Sequence, residues 1–191
     1  SRALKELVTT MGRDLEDVAA VAVSGCGARR IGKELLGKSV RKVDEIRAIG
    51  VGGLALSGKR EGLVVSMGTG TALVVAREEG KRVFHVGGTG VGGGTLLGLS
   101  ARMLRTQSFE ALEEMAAAGD TRKLDLTVAD IAVGPIGVVP GWATASNLGR
   151  IRDDASENDV AAAIFNLVSQ VIGMIAVFAA RAYGLERDVV L

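Results

Sequence analysis

The chain has very little of three residue types whose presence would define a class of protein. Its 191 residues include one cysteine, Cys26, one histidine, His85, and two prolines. With so few sulfur and imidazole groups, the chain cannot form a disulfide scaffold or a zinc cluster of Cys and His ligands. This composition suits a reducing compartment, so we expect a cytoplasmic protein.

Aromatic residues and net charge are also scarce. Aromatics make up 3% of the chain, and the formal net charge is +1. A nucleic-acid-binding surface usually carries strong positive charge, and a platform for single strands needs several exposed rings. Trp142 and Tyr183 are the only large aromatics with a polar edge. We therefore expect no nucleic-acid partner.

Aliphatic residues and glycine are abundant. The chain is 48% hydrophobic and 24% charged, which is ample for a buried core. Glycine accounts for 27 residues, about twice the usual share of roughly 7%. The chain enters a helical pattern directly after Ser1, and Asp188–Leu191 has the pattern of an opening buried strand. We expect this chain to be an internal segment of a longer protein.

Hydrophobic periodicity and turn residues predict an α/β chain with mixed sheets and flanking helices. Strands are predicted over 18–24, 40–43, 63–66, 71–76 and 82–86, the last three as an antiparallel meander. Helices are predicted over 3–10, 28–36, 44–56, 95–105, 109–118, 125–131 and 156–183. Ser108 and the pair Ser156 and Asp159 are expected to cap helices, and Pro135 and Pro140 to bracket a loop.

The last predicted helix contains 21 residues without a charge, Val160–Ala180, which is long enough to span a bilayer. Asn166, Ser169 and Gln170 lie in its middle, and the chain has no second comparable segment. A helix that is apolar nearly all round is more simply explained by burial in a core or a subunit interface. We expect no membrane partner.

Two glycine clusters interrupt apolar runs. Ser66–Thr71, with sequence SMGTGT, joins two predicted strands, so it is neither a Walker A loop nor a Rossmann turn, both of which lead into a helix. Its amide N–H groups, with Thr69 or Thr71, are suited to hold a phosphate. An ordinary hairpin turn is the alternative.

The second cluster, Gly87–Thr95, has six glycines in its first eight positions and leads from a strand into a helix. We interpret so many glycines as a ligand loop rather than a packing device, with the positive end of the helix facing an anion. The alternative, a flexible linker, conflicts with the apolar residues Leu96, Leu97 and Leu99 that follow.

Glu45 and His85 have two interpretations each. Glu45 opens a predicted helix and is either a catalytic base or a charge that complements the helix dipole. His85, close to the second cluster, is either a ligand contact or a structural residue. Cys26 is interpreted as a small turn residue. The pair Arg29 and Arg30 is interpreted as a solvated helix face rather than a phosphate clamp.

Four motifs in order resemble the type II, or eukaryotic-like, pantothenate kinases of the actin-like ATPase superfamily. The resemblance extends from about Val21 to Leu191. The motifs are Ser66–Thr71, Val86–Leu99, Ala118–Asp120 and Pro140–Gly149.

The resemblance implies two ribonuclease-H-like α/β domains, with residues 1–60 ending the first and residues 61–191 forming most of the second. It implies ATP- and Mg²⁺-dependent phosphorylation of the primary hydroxyl of pantothenate, the first step of coenzyme A biosynthesis. A homodimer and feedback inhibition by CoA or acyl-CoA are also implied.

The resemblance assigns roles residue by residue. Glu45, seven residues before Gly52, matches the catalytic base. The nucleotide would be bound by Ser66, Gly68, Thr69, Gly70, Gly92, Gly93, Gly94, Thr95, Leu96, Leu97 and Phe109. The substrate would be bound by His85, Thr89, Gly90, Trp142, Ala143 and Ala145, of which the last three match a segment near the pantetheine arm of acyl-CoA inhibitors.

The chain also departs from the family pattern. His85 stands where the family usually has an arginine that contacts pantothenate, and the segments that hold the metal and the adenosine are not found in the sequence. We expect this chain alone to be inactive. A related kinase for another small alcohol or amino sugar, and a non-catalytic acyl-CoA-binding module, remain alternatives.

Overall fold

The computed structural model describes residues 2–132, 137–150 and 153–191. These residues form both helices and strands, which confirms the predicted α/β class with several sheets and flanking helices. The helices are α1 Arg2–Thr10, α2 Glu45–Ser57, α3 Gly93–Met103, α4 Phe109–Ala118, α5 Val128–Ile131 and α6 Glu157–Tyr183. The strands are β1 Ala20–Val23, β2 Glu34–Leu35, β3 Lys38–Lys42, β4 Gly62–Met67, β5 Thr71–Arg77, β6 Arg82–Thr89, β7 Leu126–Thr127, β8 Thr144–Ser146 and β9 Val189–Val190.

Contacts between Cα atoms divide the chain into two compact units. The first unit comprises residues 1–64, 74–85 and 190, and the second comprises residues 65–73, 86–189 and 191. The domain boundary expected after residue 60 stays a prediction.

The first unit contains a three-stranded sheet in the order β1-β3-β2. β1 pairs with β3 in parallel, and β2 pairs with β3 antiparallel. The helix predicted over 28–36 is wrong, because one short 3-10 helix, Cys26–Arg30, is followed by β2. The turn at Leu36 and Gly37, with φ of 51° and 76°, folds β2 back onto β3 and prevents a helix there.

Helix α2 begins where the sequence predicts. Asp44 is its N-cap and accepts a hydrogen bond from the Arg47 N–H at 2.9 Å. A Cβ on Gly53 would lie 2.6 Å from the Cγ2 atom of Val64 on β4. The helix therefore lies directly on the strand, and a larger residue at position 53 would separate them.

A four-stranded sheet has the order β6-β5-β4-β9. β4, β5 and β6 are neighbours in sequence order, and their connections are far shorter than the dozen or more residues that a parallel crossover requires. The antiparallel meander predicted from the sequence is confirmed. Leu63, Val74 and Val75 are fully buried and form the aliphatic core expected from the low aromatic content.

Helix α6 is the main packing element of the second unit, where α3 and α4 contact it. The predicted capping box is confirmed, since Asp159 accepts from the Ser156 N–H at 2.8 Å and Ser156 accepts from the Asp159 N–H at 3.3 Å. Of the described residues, this helix is the one that meets the length and hydropathy criteria for a membrane span. Ala161, Ala163 and Ile164 are nevertheless fully buried within the protein.

The helix predicted over 125–131 is shorter than expected. Only Val128–Ile131 is helical, because Leu126 and Thr127 form β7, which pairs antiparallel with β8. Pro135, one of the two prolines expected to bracket a loop, lies outside the described residues.

Candidate functional site

The first glycine cluster forms a tight bend between β4 and β5. The Gly68 N–H donates to the Gly70 carbonyl at 2.8 Å, which leaves Thr69 exposed at the tip. We call residues 68–70 the first glycine bend. The expected hairpin turn is thus present, with Ser66 half-buried at the end of the incoming strand.

Residues 90–95 of the second cluster are bonded directly to the first, and we call them the second glycine bend. The Gly93 N–H donates to the Gly68 carbonyl and the Gly94 N–H to the Thr69 carbonyl, both at 2.9 Å. The structure thus brings together the two clusters that the sequence singled out. It also shows that two of the amides expected to face an anion are already bonded within the protein.

The glycines of the second bend also permit close packing. A Cβ on Gly92 would lie 2.7 Å from the carbonyl carbon of Gly70, and one on Gly94 would lie 2.8 Å from the Thr69 carbonyl oxygen. Our interpretation that these glycines are not a packing device is therefore wrong. They let two stretches of backbone approach more closely than any side chain would allow.

Side chains complete the connection between the bends. The Thr71 hydroxyl donates to the Val91 carbonyl at 2.9 Å, and the Thr95 hydroxyl donates to the Gly90 carbonyl at 3.1 Å. Thr89 accepts from the Val91 N–H at 3.2 Å. Thr89, Gly90 and Thr95, predicted as ligand contacts, thus also hold the loop in shape.

Thr69 is the candidate donor that this arrangement leaves exposed. Within the described part of the chain, its amide N–H and its hydroxyl donate to no other residue. The bend therefore presents two donors side by side, on a backbone fixed by the hydrogen bonds from α3. Such a pair is suited to bind oxygens of a phosphate.

An apolar cavity of about 490 Å³ begins beside the second bend. Gly93, Leu96 and Phe109, three of the predicted nucleotide contacts, line it. The Phe109 ring meets the Phe165 ring of α6 at a centroid distance of 6.0 Å and an angle of 55°. Leu97, half-buried, is not among the residues that line the cavity.

Glu45 is exposed at the start of α2 in the first unit. The Cys26 thiol donates to its Oε2 atom at 3.7 Å. Both residues line a cavity of about 520 Å³, together with Arg29 and Lys42. Sequence reasoning missed these neighbours, because Cys26 and Arg29 precede Glu45 by 19 and 16 residues and no local pattern connects them.

The remaining predicted substrate residues lie on two elements. His85 is exposed on β6 and belongs to the first unit. Trp142, which is 82% exposed, Ala143 and Ala145 lie within residues 140–150 of the second unit. This segment includes the short strand β8, and we call it the 140–150 loop. Leu126 pairs with Ser146 and Thr127 with Thr144, so the register skips Ala145. A bulge of this kind redirects a side chain and is common beside functional sites.

A buried carboxylate beneath the 140–150 loop gave no signal in the sequence. Asp125 is 1% exposed, and its two oxygens accept from the Leu148 N–H and from the Asn166 side chain. A second carboxylate, Asp130, forms an ion pair with Arg150. The pKa of Asp130 is lowered to about 2, mainly by hydrogen bonds from the Thr127 hydroxyl and N–H, and further by Arg150.

The Fumble family model matches residues 62–190, which include both glycine bends and the 140–150 loop. The chain belongs to the Fumble family. The resemblance to pantothenate kinases is confirmed by relatives with that name.

One relative is a type II pantothenate kinase of Bacillus cereus strain G9842, 32% identical over 131 residues, covering 67% of this chain and 47% of the relative. Pantothenate kinase 1 of Arabidopsis thaliana is 34% identical over 135 residues, covering 65% of this chain and 35% of the relative. The chain therefore spans less than half of these relatives.

A solved structure of the Ppx/GppA phosphatase of Aquifex aeolicus, type II variant, is also similar, at 16% identity and a TM-score of 0.32. The similarity covers 61% of this chain and 44% of the phosphatase. At that TM-score the two folds are not shown to be the same.

The described residues do not fit a Mg²⁺ site made by the protein alone. None of their His, Cys, Asp and Glu side chains form a cluster of three or more. Mg²⁺ commonly keeps several waters and binds through one or two carboxylates and the phosphates of a substrate.

Proposed function

We propose that the intact protein containing this chain transfers the γ-phosphoryl group of ATP to the primary hydroxyl of pantothenate. Membership of the Fumble family over 62–190 is the observation that carries the proposal. The names of the relatives supply the reaction, and the bonded glycine bends supply chemistry that suits a nucleotide phosphate.

Glu45 is the proposed general base. It would accept the proton of the attacking hydroxyl, and a base of this kind contributes roughly 10²–10⁴-fold to a rate. The Cys26 thiol, 3.7 Å from Oε2, would restrict the rotation of the carboxylate and leave Oε1 for the substrate. Arg29 and Lys42 in the same cavity provide positive charge suited to an anionic substrate such as pantothenate.

The glycine bends are proposed to hold the phosphates. Most catalysis of phosphoryl transfer comes from positioning and charge stabilisation. The amide and hydroxyl of Thr69 would donate to phosphate oxygens. The positive end of α3 adds a favourable potential, although the amides of Gly93 and Gly94 donate to the first bend.

The apolar cavity is proposed to accept the uncharged part of the nucleotide. Leu96, Phe109 and Phe165 offer aliphatic and aromatic surface next to the second bend. Its lining is mainly apolar, which is usual for cavities that bind the flat part of a ligand. Mg²⁺, carried by the phosphates, would neutralise their charge.

The test is the substitution Glu45→Gln in the intact protein. Loss of the base should lower kcat with pantothenate by about 10²-fold or more, while the affinity for ATP stays within about twofold. Asp44→Asn is the matched control: asparagine also caps a helix, so kcat should be unchanged. Equal turnover by Glu45→Gln and the wild type would remove Glu45 from the mechanism.

A substrate panel tests the reaction itself. Pantothenate, other small alcohols and amino sugars are offered with ATP to the wild-type protein. Preference for another alcohol would favour a related kinase, a result that His85 in place of the family arginine would explain. Tight CoA binding without any ATP turnover would instead favour a non-catalytic acyl-CoA-binding module.

A further inference from the structure

We propose that Asp125 is a positioning residue that fixes the 140–150 loop, and with it Trp142 and Ala145, in the orientation that contacts the substrate. The identity of that substrate rests on the proposed function. The mechanical part of the proposal, that one buried carboxylate determines the order of this loop, rests on the geometry alone.

The carboxylate joins two elements of the second unit. Its Oδ1 atom accepts from the Leu148 N–H on the loop at 2.7 Å, and its Oδ2 atom accepts from the Asn166 side-chain amide on α6 at 2.7 Å. Asp125 itself is 1% exposed. Both bonds are short and shielded from water, so they are stronger than exposed bonds of the same kind.

The same network reaches the other side of the loop. The Asn166 amide also donates to the Thr144 hydroxyl at 3.1 Å. Thr144 and Leu148 flank the bulged residue, Ala145. Asp125 therefore holds the loop at two points, one directly and one through Asn166.

Leu148 adopts a backbone conformation that requires such support. Its φ of 55° lies in the left-handed region, which residues other than glycine, asparagine and aspartate adopt at a cost. A strained conformation persists only where the surrounding structure holds it, and such positions concentrate at functional sites. The bond from the Leu148 N–H to Asp125 is the contact that holds it here.

Stability alone is a poor explanation for the carboxylate. A buried charge loses its hydration, and well-packed apolar residues are often as stabilising in its place. What an apolar residue would not supply is an acceptor that fixes Leu148 and Asn166 together. The loop that gains this order presents Trp142, whose side chain is mostly exposed.

The first variant is Asp125→Asn in the intact protein. The new amide has one oxygen for two donors, so either Leu148 or Asn166 loses its acceptor. We expect the KM for pantothenate to rise about tenfold, the value for one lost bond to a charged group, while kcat changes less than about twofold.

Trp142 supplies a readout that does not depend on catalysis. It is the only tryptophan in this chain, and subtracting the signal of Trp142→Phe isolates it in the intact protein. Acrylamide quenching of Trp142 should change by about twofold or more in Asp125→Asn, because the loop is no longer fixed.

The double variant Asp125→Asn with Asn166→Asp is the rescue. The new amide at position 125 keeps one oxygen that accepts from the Leu148 N–H, and its NH2 group donates to the new carboxylate at position 166. The Thr144 hydroxyl can rotate to donate to the same carboxylate. Both KM and quenching should return to within about twofold of the wild type.

Asp159→Asn is the matched control for Asp125→Asn, because it alters a second buried carboxylate of the same unit. Asp159 accepts from the Asp120 N–H at 2.8 Å and from Ser156, away from the loop. We expect a lower Tm with KM and Trp142 quenching unchanged. If Asp125→Asn does not fold, Thr144→Val takes its place, with changes in the same direction and about threefold in KM.

The proposal is overturned if folded Asp125→Asn, or Thr144→Val in its place, shows wild-type KM and quenching, or if Asp159→Asn shifts both equally. A wild-type protein that does not phosphorylate pantothenate refutes the proposed function instead. In that case the quenching of Trp142 still decides whether Asp125 fixes the loop.

Discussion

Two regions of the second unit carry predicted site residues, and different interactions hold them. The glycine bends are joined backbone to backbone, through amides of Gly93 and Gly94 that donate to carbonyls of the first bend. The 140–150 loop depends instead on two side-chain carboxylates, Asp125 and Asp130.

The difference determines what can damage each region. A backbone-to-backbone contact has no side chain to delete, so it is disrupted mainly by adding atoms where glycine leaves no space. A loop fixed by carboxylates loses its order when one oxygen is replaced, and protonation of Asp130 removes its ion pair with Arg150. Substitutions that add atoms should therefore disturb the bends. Isosteric substitutions of the carboxylates, and low pH, should disturb the loop.

The largest effect is expected from Gly92→Ala. Its new Cβ would lie 2.7–2.8 Å from the backbone of Gly70, which cannot move aside as a flexible side chain can. Overpacking of this kind costs about 1–3 kcal/mol, so the free energy of unfolding in urea should fall by that amount, with weaker ATP binding.

Gly98→Ala, within the helix that Gly92 caps, is the control. A Cβ at Gly98 would meet nothing within 4 Å, and alanine in a helix interior is favoured over glycine by about 0.5–1 kcal/mol. Unfolding should therefore require more urea. A loss of stability equal to that of Gly92→Ala would contradict the steric explanation.

A second comparison, between Thr69 in the first bend and Thr71 directly after it, separates binding from stability. Thr71→Val removes the bond from the buried Thr71 hydroxyl to the Val91 carbonyl and should cost about 1 kcal/mol of stability. Thr69→Val removes an exposed hydroxyl, so stability should change by less than about 0.5 kcal/mol. The Kd for ATP should instead rise about tenfold, measured by calorimetry. If Thr69→Val binds ATP normally, the bend does not hold the phosphates through this hydroxyl.

The smallest effect is expected from acid on the 140–150 loop. The pKa of Asp130 is about 2 in the folded protein and about 3.9 when unperturbed. Because the folded pKa is lowered, the stabilisation is complete above about pH 4 and is lost as the pH falls toward 2. Trp142 quenching should change across that range.

Asp130→Asn removes this titration. The variant should show the altered quenching already at about pH 5 and little further change toward about pH 2, while Gly92→Ala should keep the wild-type profile. An unchanged pH profile in Asp130→Asn would show that the ion pair with Arg150 does not order the loop.

Local signals in the sequence predicted helix ends well. Asp44, Ser108 and Ser156 cap the helices that were expected to start beside them, and Gly184 ends α6 with φ of 67°. These features depend on residues a few positions apart, so they can be read without knowing the fold.

Pairing between distant residues was not predictable in the same way. Glu34 and Leu35 look helical in a local window but pair with β3, and Leu126 pairs with Ser146 twenty residues away. The two glycine clusters were found because glycine is conspicuous. Their contact with each other, and the burial of Asp125 beneath another loop, depend on tertiary packing that composition does not encode.

Helix α6 is apolar on nearly every side, so hydrophobic packing alone would let it rotate about its own axis at little cost. Two polar contacts remove that freedom: Asp159 to the Asp120 N–H and Asn166 to Asp125. They are seven residues apart, so they project from the helix within about 20° of each other. Both contacts lie on one side of the helix, and they fix its rotation about its axis. That rotation determines which neighbours each apolar residue of the helix contacts.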